Sequence, residues 1–300
     1  MLETKIGSLC LHSPIFNASG PRSTDYQALH EIDESESSAV LSKTCTLEPK
    51  IGHPHPRLHI FDDSSVINAI GLENEGLDYY LSLKFVHPYI ISIKGDASTL
   101  SEMLQKIKKC DHVQGVEINI SCPSVPIEFN VQEILKIIQN NGQKHQIIGI
   151  KLGPFASKEE ARKVVHMIAL TQCIQFITLI NSIPHALALR RNQPLLSNQY
   201  GGLSGTAIKC IARGNVYMCW QLLTEFHRQD IAIIGVGGIF CGQDVLDMML
   251  CGASAVQIGS CHLIEGPTCF QRITSEFRDV MRANGYKCVK DISCATWSKL

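Results

Sequence analysis

No run in this 300-residue sequence approaches 18 consecutive apolar residues, which argues against a membrane-spanning helix. The first ten residues also lack the basic stretch and long apolar segment of a secretory signal, so the cytoplasm is the expected compartment. Charge of one sign is missing as well. A formal net charge of -1 gives no electrostatic reason to expect nucleic acid or an anionic membrane as partner. Thirteen cysteines are present, yet no two stand at Cys-x-x-Cys spacing. The expectation is reduced, mostly buried structural thiols and no metal site. Repeats, low-complexity tracts and linkers are absent too, so one domain covering 1–300 is expected.

What the sequence does have is apolar, at 45% hydrophobic against 18% charged residues, as for a protein with a large core. Eight short apolar runs rich in β-branched residues recur, at 14–18, 39–44, 89–93, 116–120, 147–152, 176–180, 231–235 and 255–258. Runs of this kind suit parallel strands covered on both faces. Between several of them lie segments with helical spacing, at 99–108, 132–139, 158–170, 208–226 and 242–250. Eight alternations favour a closed (β/α)₈ TIM barrel over an open doubly wound sheet. Two connections, 47–88 and 182–201, are too long for plain turns. Both follow strand ends on the face where barrels build active sites, and they read as lids or binding loops.

The chemistry-bearing residues fall at those strand ends. Gly235-Val-Gly-Gly238 and Ile258-Gly-Ser260 follow consecutive strands, where glycines let backbone N–H groups approach an anion. The loops after strands seven and eight of a barrel are a recurring phosphate site. A lone Gly-x-Gly-Gly is otherwise only a tight turn. Gly201-Gly-Leu-Ser-Gly205 offers a further wall. Lys43-Thr44 and Lys151 end strands, and lysine is seldom buried unpaired, so each either faces the barrel mouth or reaches solvent from the surface. Asn68, Asn119 and Asn181 can donate and accept along the edge of a heterocycle, though any one of them alone reads as a turn residue. Cys122, just beyond a strand end in Asn119-Ile-Ser-Cys-Pro123, is positioned to act as a base if its thiol is ionised; an isolated cysteine would be structural.

These motifs, with Asn17-Ala-Ser-Gly20 and Asn68-Ala-Ile-Gly-Leu72, occur in the order found in class 1 dihydroorotate dehydrogenases, and the sequence resembles that family from about Leu2 onward. The resemblance implies FMN-dependent oxidation of dihydroorotate to orotate in de novo pyrimidine synthesis. It implies a phosphate held near Gly205, Gly237, Gly238, Gly259 and Ser260, and a flavin ring lined by Ala18, Ser19 and Gly20. Lys43, Thr44, Asn119 and Lys151 would reach the ring's polar atoms, with Lys151 stabilising the reduced flavin. Orotate would be held by Lys43, Asn68, Gly71, Leu72, Asn119, Ser124, Asn181 and Ser182. Cys122 would take the C5 proton while the C6 hydride passes to the flavin, with Lys43 and Lys151 assisting.

Within class 1, Asp78-Tyr-Tyr80 and the C-terminal half resemble class 1A, homodimers that use fumarate as electron acceptor. Asn68-Ala-Ile-Gly-Leu72 and Gln193-Pro-Leu-Leu-Ser-Asn198 resemble class 1B, whose iron–sulfur flavoprotein partner passes electrons to NAD. Class 1A is the favoured reading. Three departures stand out: Ser124 where class 1 has Asn, a shortened loop after Val125-Pro126, and Lys94 where a small residue is usual. They keep open a different dihydropyrimidine substrate, or a flavin-binding relative that has lost turnover.

Overall fold

The computed structural model describes residues 2–120, 127–141 and 146–292. Eight parallel strands form its centre: β1 (Ile15–Asn17), β2 (Val40–Leu41), β3 (Tyr89–Ile93), β4 (Gly115–Asn119), β5 (Ile147–Leu152), β6 (Phe176–Leu179), β7 (Ala232–Val236) and β8 (Ala255–Ile258). Each apolar run of the sequence supplies one of them. Their ladder runs β1-β8-β7-β6-β5-β4-β3-β2. The last seam, β1 to β2, is closed largely by a side chain. Asn17 Nδ2 donates to the Leu41 carbonyl at 2.7 Å, and the Leu41 N–H donates to Asn17 Oδ1 at 2.8 Å. The carboxamide thus stands in for a peptide unit of the missing ladder. One rung below, the Ser38 N–H donates to the Ile15 carbonyl at 2.9 Å. The result is a (β/α)₈ TIM barrel.

Helices on the outside include α1 (Tyr26–Asp33), α2 (Leu77–Ser82), α3 (Ala97–Ile107), α4 (Ile127–Asn141), α5 (Lys158–Ala169), α6 (Lys209–Glu225), α7 (Gly242–Leu250), α8 (Ser260–Glu265) and α9 (Thr268–Ala283). α3 begins earlier than its apolar periodicity suggests, because Asp96 Oδ1 accepts the Thr99 N–H at 3.0 Å and caps the first turn. Among the described residues no helix is long and apolar enough to cross a membrane.

Period-two alternation divides the strand residues between two environments. Ile91, Val116, Ile118, Ile148, Ile150, Ile177 and Val256 face the helices. Phe16, Leu41, Ile90, Ile147, Phe176 and Ile234 fill the lower barrel together with Ile6 and Leu11. Those two come from an N-terminal hairpin, Thr4–Ile6 with Leu9–Leu11, that stops the barrel's lower end. Higher up, the buried interior turns polar, with Ser92, Glu117, Lys151, Thr178 and Gln257.

Both long connections reach the cavity mouth, and they carry regular structure. They contribute a four-stranded antiparallel sheet in the order Ile183–Leu187, Tyr200–Gly205, Ser65–Asn68, Leu58–Ile60. Its central pairing sets Gly202 opposite Asn68 and Gly205 opposite Ser65. Among the described cysteines, all free, Cys45, Cys219, Cys251, Cys261 and Cys269 are buried, Cys110, Cys173, Cys241 and Cys288 are half-buried, and Cys10 and Cys210 are exposed, because each falls on the outward-facing side of its hairpin or helix.

Candidate active site

A cavity of about 640 Å³ lies between the C-terminal ends of the strands and the four-stranded cap. That volume suits a cofactor or metabolite. Every residue that the resemblance assigns to catalysis, substrate or cofactor lines it, apart from Cys122 and Ser124. Ala18, Ser19 and Gly20 leave β1; Lys43 and Thr44 follow β2; Asn119 ends β4; Lys151 is in β5. Asn181 and Ser182 follow β6, and Asn68 with Gly71 and Leu72 hang from the cap. Gly205, Gly237, Gly238, Gly259 and Ser260 form a glycine-rich part of the rim. Cys122 and Ser124 lie outside the described residues.

Polar side chains are linked across the floor. The Thr44 hydroxyl is 2.9 Å from Ser92 Oγ, donates to Ser19 Oγ at 3.3 Å, and accepts from Asn119 Nδ2 at 3.3 Å. Asn181 Nδ2 donates to Asn119 Oδ1 at 3.3 Å, and the Ser182 N–H donates to Asn181 Oδ1 at 2.9 Å. These bonds fix which atom of each carboxamide faces the cavity.

On the cap side, Gly71 and Leu72 both have positive φ, +77° and +57°. For leucine that conformation is uncommon and needs support. Asn74 provides it, donating from Nδ2 to the Leu72 carbonyl at 2.7 Å and to Thr46 Oγ1 at 3.0 Å. On the rim, Gly205 and Gly238 have φ of +78° and +71°. A Cβ at Gly238 would meet Lys209 Cβ at 2.6 Å, and one at Gly205 would meet the Ser64 carbonyl at 2.2 Å. Backbone there approaches backbone too closely for any side chain.

Both strand-end lysines are buried and face inward, which settles the choice between mouth and surface. Lys43 Nζ donates to the Gly20 carbonyl at 3.4 Å. Burial pushes its pKa from 10.5 down to about 8; the Glu73 carboxylate opposes this, while Arg57 and Lys151 add to it. Burial likewise lowers Lys151, against the pull of Glu117. For Lys43 the folded protein holds the proton less tightly than the unfolded chain, so its contribution makes stability rise with pH between about 8 and 10.5. Lys43→Met is therefore expected to raise stability near pH 7 by on the order of 3 kcal/mol, a gain that fades as pH approaches about 10.5. Urea unfolding of both proteins across that range checks it; a difference that stays constant with pH would refute a buried charged lysine.

Several wall residues carried no motif. Gln257 forms part of the floor, and His53, Tyr200 and Phe240 form part of the walls. Lys94 also lines the cavity and so brings a third ammonium-bearing side chain to its wall. The usable signal for Gln257 was a polar residue interrupting an apolar strand, Ala255-Val-Gln-Ile258.

Fold and cavity together define a barrel enzyme whose ligand sits at the strands' C-terminal mouth, under a β-sheet cap. The sequence profile for dihydroorotate dehydrogenase matches residues 1–281. The chain belongs to the dihydroorotate dehydrogenase family. It is 32% identical over 310 residues to the putative dihydroorotate dehydrogenase A (fumarate) of Streptococcus pyogenes serotype M3, covering 96% of each protein. Identity to the protein so named in Streptococcus equi subsp. equi is 33% over 310 residues, again covering 96% of each. The crystal structure of Eimeria tenella DHODH in complex with ferulenol shares the fold, with TM-score 0.80, 20% identity, and coverage of 97% of this chain and 87% of that one.

Proposed function

We propose that this protein binds FMN and oxidises dihydroorotate to orotate, with fumarate as electron acceptor, as a step of pyrimidine synthesis. The observation that carries the reading is the meeting, in one ligand-sized cavity, of a glycine rim and two buried lysines. The naming of the 32–33% identical relatives as fumarate-linked enzymes supports the acceptor. The class 1A resemblance makes a homodimer the expected assembly.

The residues present fit the cofactor. Backbone at Gly205, Gly237, Gly238, Gly259 and Ser260 can take a phosphate, because amide N–H groups at a glycine rim come close to an anion without side chains intervening. Ala18, Ser19 and Gly20 offer a small-residue wall to a flat ring. Thr44, Asn119 and Lys151 supply the polar contacts that orient it. FMN, when bound, supplies the two-electron chemistry that no side chain of this protein can perform.

The chain's own residues do the rest. Lys43 holds the carboxylate of the substrate, and that anion in turn favours the lysine's charged form. Asn68, Asn119, Asn181 and Ser182 bond the polar edge of the dihydropyrimidine, while Gly71 and Leu72 close against it. Ser124 is assigned to the same edge by sequence. Cys122 removes the proton at C5.

The test is anaerobic: purified yellow protein mixed with dihydroorotate should bleach, and fumarate should restore the colour. Persistent yellow would reject the substrate; recovery with NAD or a quinone but not fumarate would reject the acceptor. Lys94 on the cavity wall favours one second reading, a different dihydropyrimidine. A parallel assay in which dihydrouracil bleaches the protein and dihydroorotate does not would establish it.

A further inference from the structure

Below the cavity, β4 carries a carboxylate that no ligand contact accounts for. Glu117 is fully buried, flanked along the strand by Val116 and Ile118, which face the helices. Its Oε2 accepts from Thr178 Oγ1 at 2.9 Å and from Gln257 Nε2 at 2.6 Å. Its Oε1 has no hydrogen-bond partner among the described residues and stands 3.9 Å from Lys151 Nζ. Lys151 Nζ donates instead to Gln257 Oε1 at 3.3 Å. An ammonium only donates and an ionised carboxylate only accepts, so Gln257 can link them in one orientation alone. The amide is a fixed bridge from negative to positive charge.

We propose that Glu117 is a positioning residue that keeps the Lys151 ammonium charged and directed into the cavity, with Gln257 and Thr178 holding the carboxylate in place. The proposal rests on the reading that a flavin ring occupies the cavity above. Glu117 does not itself line that cavity, whereas Lys151 and Gln257 do. It therefore acts through the lysine. The influences on Lys151 divide by sign. Burial disfavours its ammonium; Glu117 from β4 favours it, and Gln257 from β8 is neutral. Without the carboxylate, the lysine would have a low-dielectric floor beneath it and no opposing negative charge to offset its burial. Under those conditions a buried lysine gives up its proton.

Sulfite provides a readout independent of turnover. It adds reversibly to oxidised flavin, bleaches the yellow band, and binds more tightly when positive charge lies beside the ring. The ratio of sulfite affinities, parent over Glu117→Gln, cancels the protonation of sulfite itself. Near pH 6 that ratio should not exceed about one; above the lowered lysine pKa it should climb about tenfold per pH unit toward the value for Lys151→Met. In the Lys151→Met background, Glu117→Gln should weaken sulfite no further. A ratio independent of pH, or an equal loss with the lysine already gone, would overturn the proposal. Should Glu117→Gln alone fail to fold, thermal melting of Lys151→Met against Lys151→Met/Glu117→Gln decides the pairing without any flavin. The double variant should melt higher, because the single one strands a buried carboxylate; an equal or lower melting temperature would overturn the pairing. Failure of the parent protein to take up FMN would strike the functional reading, while the melting comparison still judges the pair.

Discussion

Cys122→Ala is expected to stay yellow and to lose about 10²–10⁴-fold in its rate of anaerobic bleaching by dihydroorotate, the range a positioned base contributes. The motif that carries the thiol starts at Asn119, which ends β4 and lines the cavity beside Thr44 and Asn181. A carbon-bound proton is a poor acid, so the base must be ionised and held in place when the flavin is reduced. A thiol with an ordinary pKa of ~8.5 comes much nearer to this at neutral pH than an alcohol does. Cys122→Ser should accordingly keep weak activity that grows at high pH. FMN content separates a lost base from a lost site. Stopped-flow bleaching of the alanine variant at the parent's rate would remove Cys122 from the mechanism.

Gly259→Ala is expected to melt at the parent's temperature yet bind FMN about 10- to 100-fold more weakly, the equivalent of one lost hydrogen bond to a charged group. The reasoning separates what the fold needs from what a ligand needs. Gly259 has an ordinary φ of -110°, and a Cβ built there meets nothing nearer than Ala18 Cβ at 3.5 Å. Neither backbone conformation nor packing calls for glycine at this point. The cavity does, since a methyl group would intrude between the rim and a phosphate. Gly205 and Gly238 give no such separation, because their added Cβ atoms would strike the protein's own atoms at 2.2 and 2.6 Å and disturb the fold first. FMN titration by fluorescence, alongside thermal melting, measures both quantities. Unaltered affinity would place the phosphate somewhere other than this rim.

The barrel was legible because each strand announces itself locally. A run such as Ile147–Leu152 is short, apolar and β-branched, and a helix with its own apolar stripe follows it. The cap was not legible. Ser65–Asn68 pairs with Tyr200–Gly205 across more than a hundred intervening residues, and no short-range pattern encodes such a partner. The order of the motifs did place the cavity walls, since strand ends in a closed barrel must converge on one mouth. Order says nothing about depth, however. Glu117 and Gln257 each appear in the sequence as one polar letter inside an apolar strand, and only the register of β4 against its neighbours brings them under Lys151. Lys94 was visible as an oddity, but its direction was decided by the end of β3.

Among the described residues, the hairpin that carries Ile6 and Leu11 closes the base of the barrel with aliphatic groups. With aliphatic groups there and Lys151 lining the cavity, the described residues point to the mouth that admits ligands as the route by which protons reach Lys151 and Glu117. A ring seated there would act as a stopper. The charge with which the pair meets an arriving ligand is then the charge it keeps until that ligand departs, and the acidity of the medium would be sampled between turnovers rather than during them.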